Sequence, residues 1–142
     1  MATTVERRTR QEDIERSPVV IYKLPGQPPV LAGNVILEGT IAFLNSAGKV
    51  IPATNGVAGT VLLGIAEATY DATGGSDVGF NMVFKRGAFY LDGKNGDLPT
   101  ATDLGKFIAI NDNSSVKKTV AMNDVTVKLL SIDNGQYKCE LV

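Results

Sequence analysis

Histidine and tryptophan are absent from these 142 residues, and cysteine occurs once, at Cys139. Without histidine the chain lacks the side chain that titrates unperturbed near neutral pH, and with it the commonest transition-metal ligand. An enzyme built on this sequence remains possible but would need rarer chemistry. A single cysteine excludes an internal disulfide and any multi-cysteine zinc or iron–sulfur site, and it fits synthesis in a reducing cytoplasm. No apolar run approaches the roughly 20 residues of a membrane span. The first residues are charged and lack an apolar core, unlike a secretory signal. Fourteen basic against fifteen acidic residues give a net charge of −1. That balance predicts no global attraction to nucleic acid or to an anionic membrane.

What is present divides near residue 32. The first sixteen residues carry eight charges, Glu6, Arg7, Arg8, Arg10, Glu12, Asp13, Glu15 and Arg16. Residues 17–31 hold four of the six prolines. Beyond them lies a glycine-punctuated sequence with strand patterning, long enough for one core. At that size folding removes about 65–70% of the unfolded chain's surface from water. The expected organisation is an extended N-terminal arm over 1–31 and a single β-barrel domain over 32–142.

Within 1–16, Thr3-Thr4-Val5-Glu6 reads as a capping box. Glu6–Arg10, Arg8–Glu12 and Glu12–Arg16 are i,i+4 pairs worth ~0.2–0.5 kcal/mol each. A helix here has no apolar stripe to dock and is marginal alone; Ser17-Pro18 stops it. Residues 17–31 read as extended, because Pro18, Pro25, Pro28 and Pro29 fix φ and remove donors. Val19, Val20, Ile21, Tyr22 and Leu24 make this stretch more apolar than a solvated linker. It is either an edge strand of its own domain or a strap lying on a neighbour. Fully extended, 1–31 reaches about 100 Å.

From Ala32 onward short strands alternate with turn signals. Strands are expected at Asn34–Leu37, Thr40–Leu44, Lys49–Pro52 and Val61–Thr69, with Asn45–Gly48 as a turn and Tyr70–Gly75 ending the fourth. In Val78–Phe84 the residues Val78, Phe80, Met82 and Phe84 share one face. Arg86-Gly87 is read as a break before Ala88–Leu91. Thr100–Gly105 reads as one helical turn capped between Thr100 and Asp103, and Phe107–Ile110 as a strand. Val125, Val127 and Leu129, the turn Asp133-Asn134-Gly135, and Tyr137, Cys139 and Leu141 form the clearest hairpin. The class is all-β: a small barrel or sandwich of short antiparallel strands.

Motifs for chemistry are sparse. Gly48-Lys49, Gly93-Lys94 and Gly105-Lys106 lack the loop and the following Ser or Thr of a P-loop. Ser114-Ser115-Val116-Lys117 matches S-x-x-K, but it reads as a turn entering a strand rather than a helix stacking Ser over Lys. Nearly all of the eight aspartates from Asp71 to Asp133 fall in expected turns, where short carboxylates cap backbone, and none forms a calcium loop. Cys139 falls on an inward strand face, where it serves as a small hydrophobe. Arg7, Arg8 and Arg10 are the one basic knot, balanced by Glu6, Glu12, Asp13 and Glu15. Three readings stand: a solvated mixed-charge arm, salt-bridging to a protein neighbour, or a grip on phosphates.

An ordered series runs through the body: Leu37-Glu38-Gly39-Thr40, Gly48-Lys49-Val50-Ile51-Pro52-Ala53, Leu63-Gly64-Ile65-Ala66-Glu67, Val83 through Arg86-Gly87-Ala88-Phe89, and Leu104 through Asp112, then the hairpin. This order and spacing resemble the head decoration (capsid cement) proteins of tailed bacteriophages over about Ala32–Val142. The resemblance implies a β-barrel on the outer surface of an assembled capsid, bridging neighbouring capsomers. It also implies a homotrimer, with a dimer as fallback, and the major capsid protein as partner. It implies no catalysis, no cofactor, no nucleic acid and no membrane partner. On that footing the partner-binding residues are those of the arm: Arg7, Arg8, Arg10, Arg16, Val19, Val20, Ile21, Tyr22 and Leu24. The alternative is a similar small barrel of the tail, baseplate or fibre attachment.

Overall fold

The computed structural model describes residues 20–25, 29–74 and 81–141, and for 20–25 it describes the backbone. The expected helix in 1–16, together with Val19, Val78 and Phe80, lies outside the described residues. Eleven strands are assigned: β1 (Val20–Pro25), β2 (Val35–Ile36), β3 (Ile41–Leu44), β4 (Val50–Pro52), β5 (Val61–Ala66), β6 (Tyr70–Asp71), β7 (Asn81–Gly93), β8 (Phe107–Ile110), β9 (Ser115–Lys117), β10 (Thr126–Asp133) and β11 (Gln136–Leu141). One 3-10 turn covers Ala101–Asp103. The protein is all-β, as the patterning predicts.

Five strands close into a barrel in the order β7–β11–β10–β8–β9 and back to β7. All these pairings are antiparallel except β7 with β9, where Asp92 and Gly93 face Ser115 and Val116 in parallel. Closure leaves these strands without a free edge in the barrel wall. The hairpin signal is realised directly. Asp133 pairs with Gln136, and Asn134 (φ 52°) and Gly135 (φ 77°) supply the two positive φ values of a type I′ turn.

β7 is one continuous 13-residue strand, whereas the sequence predicts a break at Arg86-Gly87. Gly87 (φ 140°) bends the strand without ending it, because each half has partners of its own. Residues 81–86 pair with β1 and 87–91 with β11. Even and odd positions of a strand face opposite sides, and β7 uses both. Met82 and Phe84 enter one hydrophobic cluster with Val30, Ile36, Ala42, Val50, Leu63 and Tyr70. Leu91, with Phe89 beside it, enters the other with Ile41, Phe43, Leu62, Ile108, Leu129 and Cys139. The sheet β5–β3–β4 lies between the clusters, so Ala42 faces one and its neighbours Ile41 and Phe43 the other.

Two expectations change here. Tyr70, read as the start of a turn, is buried in the two-stranded β2–β6 sheet. Its hydroxyl accepts a hydrogen bond from the Val83 amide at 2.9 Å. Residues 29–31, which the composition break assigns to the arm, belong to the body. Val30 is fully buried and bridges Val50, with Leu31 N donating to Val50 O at 3.0 Å and Val50 N to Pro29 O at 2.8 Å.

Candidate interaction surface

Of the two readings of the proline-rich stretch, Val20–Pro25 take the edge-strand one. Val20, Ile21, Tyr22 and Leu24, named as strap residues, pair antiparallel with Arg86, Lys85, Phe84 and Met82 of the same chain. The physical reason is the free side of β7. β5 covers only one edge of its first half, through Ile65↔Lys85 and Ala66↔Phe84, and the opposite edge would otherwise expose unpaired amides. Arg7, Arg8, Arg10, Arg16 and Val19 lie outside the described residues.

Alternation fixes which groups of β1 face outward. Glu67 N donates to Val83 O at 3.0 Å, so odd residues of this part of β7 present their backbone to β5, and Met82, Phe84 and Arg86 present theirs to β1. Their partners Leu24, Tyr22 and Val20 therefore turn inward along the sheet. Ile21 and Lys23 point N–H and C=O away from it. Among the described residues no strand pairs that outer side. Proline at 25 ends the row of donors.

The platform beneath β1 rests on a bulge. β3 and β5 shift register between Ala42 and Phe43, leaving Leu63 as the extra residue. Arg86 holds the bulge carbonyls, its Nε donating to Leu63 O at 2.8 Å and its Nη2 to Leu62 O. Gly64 at φ +143° admits the close approach of β7, since a Cβ there would stand 2.5 Å from Lys85 O. The sequence patterning reads Arg86-Gly87 as a break and gives no sign of these contacts.

Elsewhere the polar groups serve the architecture. Asp112 Oδ1 accepts from Ser114 N at 3.0 Å and Ser115 Oγ at 2.7 Å. Burial opposes its charge, but these bonds outweigh burial and hold the carboxyl below its ordinary value. Ser114 is in a turn and Lys117 in β9, so the S-x-x-K match has no helical stacking. Asp103 caps the 3-10 turn through Thr100 N at 2.8 Å, as expected. Lys117 is instead paired with Asp124, Nζ to Oδ2 at 3.1 Å, a buried contact for which the sequence gives no signal. The Cys139 thiol is fully buried, and desolvation pushes its pKa up to about 12. Among the described residues no three His, Cys, Asp or Glu side chains converge as a metal site.

Large apolar side chains do reach the surface, foremost Met122 (84% exposed) and Phe107 (62%). Comparison with family models, with curated proteins and with solved structures finds no match to this chain.

Proposed function

We propose that this protein is a structural virion component that binds the outer surface of an assembled phage capsid and stabilises it by bridging neighbouring capsomers. The observation that carries the reading is the outward row of backbone groups on β1, directly after a segment dense in charge. Such an edge takes up an extended segment of another chain by strand addition, with main-chain hydrogen bonds supplying affinity. The charges of Arg7, Arg8, Arg10 and Arg16, interleaved with acids, offer complementary pairing to a protein surface rather than a uniform field for nucleic acid. Attachment repeated over many copies of a shell gains avidity without a strong single site. The ordered motif series, which resembles that of decoration proteins, supports the same reading, with the major capsid protein as partner and a homotrimer as the form that binds.

The test is occupancy on expanded heads. Full-length protein carrying Arg7→Glu, Arg8→Glu and Arg10→Glu, and a chain beginning at residue 20, should retain the wild-type circular dichroism spectrum. Both should lose occupancy when added to heads lacking the protein. Wild-type occupancy by both variants removes the role of the segment. A few copies at a vertex or tail, in place of copies across the whole head, points to a tail or baseplate module instead.

A further inference from the structure

Phe107 is one of several large apolar side chains left at the surface around the end of β7, with Leu98, Leu104 and Val120 each close to half exposed. Backbone bonds gather their segments. Lys94 N donates to Val116 O at 2.8 Å and Lys118 N to Asp97 O at 2.9 Å. The Asp103 carboxylate lies within electrostatic reach of both Lys118 and Lys106. Asp97 and Asp103 are engaged with their own neighbours. Asp97 accepts from Thr119 N at 3.1 Å and from Thr119 Oγ1 at 2.9 Å, and Asp103 from Thr100 N at 2.8 Å. Lys94, Lys106 and Lys118 are exposed, and none of the three makes an ion pair among the described residues. An apolar surface with unpaired positive charge results.

The opposite character appears toward the start of β7. Leu37 is about half exposed, and the neighbouring Glu38 and Glu67 are exposed as well. Gly39 N donates to Ala66 O at 2.9 Å, which sets the two glutamates on adjacent segments, and Glu38 N donates to Thr69 Oγ1 at 3.1 Å. Glu67 N to Val83 O at 3.0 Å ties this corner to the first half of β7. Neither glutamate makes an ion pair among the described residues. Val83 and Gly93 lie ten residues apart along β7, which at ~3.3 Å per residue is about 33 Å of strand. One copy therefore cannot lay its own acidic corner on its own basic face.

We propose that these two surfaces are the halves of one contact between copies of this chain. The apolar, basic face of one copy receives the Leu37, Glu38 and Glu67 corner of the next. Burial of the apolar side chains supplies the centre of the contact, and Lys–Glu pairing sets its orientation. Because each copy contributes a different patch, the contact is heterologous, and repetition head to tail closes a ring where the rotation allows. Three copies close it in the homotrimer proposed above, the part of that reading on which this inference rests.

The test is analytical ultracentrifugation of the full chain at low and high salt. The wild type should sediment as a trimer that weakens as salt screens the pairs. Lys106→Glu with Lys118→Glu, and separately Glu38→Lys with Glu67→Lys, should keep the wild-type circular dichroism spectrum and weaken association by about tenfold or more. All four changes in one chain exchange the signs and should restore the trimer. An equimolar mixture of the two double variants should associate without closing a three-membered ring, because alternating partners need an even number. A wild type that stays monomeric at every concentration removes the homotrimer and this contact with it. A trimer that survives either double variant, or that the four changes do not restore, overturns the contact alone and leaves the homotrimer standing.

Discussion

Lys117 Nζ lies 3.1 Å from Asp124 Oδ2, and the Asp124 side chain is 1% exposed. The pair joins β9 to the segment leading into β10, and the same carboxylate oxygen accepts from Ala121 N at 2.8 Å. Asp124→Ala leaves the Lys117 ammonium without its partner, so a loss on the order of 3 kcal/mol is expected in urea unfolding. Lys117→Met with Asp124→Leu should recover much of it. No recovery in the double variant would show that packing rather than charge dominates here.

Acid should release the same contact. Burial raises the Asp124 pKa, but the Ala121 amide and Lys117 outweigh it, leaving the carboxyl below its ordinary 3.8. The unfolded chain therefore binds this proton more readily than the folded one. The stabilisation is present above about pH 5 and is lost as pH falls through 4 and below. Unfolding midpoints measured from pH 6 to pH 3 should fall less steeply in Asp124→Asn than in the parent. Parallel curves would remove Asp124 from the acid response.

Gly64 and Arg86 should be intolerant for separate reasons. Gly64→Ala places a methyl 2.5 Å from a backbone oxygen at φ +143°, so a cost of about 2 kcal/mol or more is expected. Arg86→Met strips donors from two bulge carbonyls, costing about 1.5–3 kcal/mol. Thermal melts of the two variants check both values. A neutral Gly64→Ala would mean that β5 and β7 can separate locally.

Lys23→Pro separates the two edges of β1. The Lys23 amide points away from β7, so proline should leave the pairing with Val83 in place while deleting an outward donor. If the protein binds capsids as proposed, the expected result is an unchanged melting temperature with reduced occupancy on heads. A large drop in melting temperature would show that the amide faces β7.

Cys139 should be inert. With its thiol at about 12 and fully buried, it should resist a thiol reagent at pH 8 and react fully once the chain is denatured. Rapid labelling of the native protein would reveal local opening of β11.

Local signals carried much of this fold. Asn134-Gly135 between alternating strands specified the hairpin, Asn45 through Gly48 specified the β3–β4 turn, and Thr100 with Asp103 specified the 3-10 turn. Long-range effects escaped the sequence. Arg86-Gly87 looks like a break because a charge and a glycine interrupt the alternation, yet partners along both edges of β7 carry the strand through. Tyr70 reads as turn chemistry beside Asp71 and Thr73, but its ring packs against Phe84 at a centroid distance of 6.0 Å. Val20–Leu24 satisfy the pattern of an intramolecular edge and of a strap alike. The choice depended on a vacancy beside β7, which no property of residues 20–24 records. The Lys117–Asp124 pair was invisible because Asp124 reads as one more turn aspartate and nothing in the sequence ties it to Lys117 in β9.

β7 contributes side chains to both hydrophobic clusters, one through its first half and the other through its second. Two packed layers are thereby threaded on a common spine. Loss of order at either end of that spine removes support from the other, so the molecule yields as one piece or not at all.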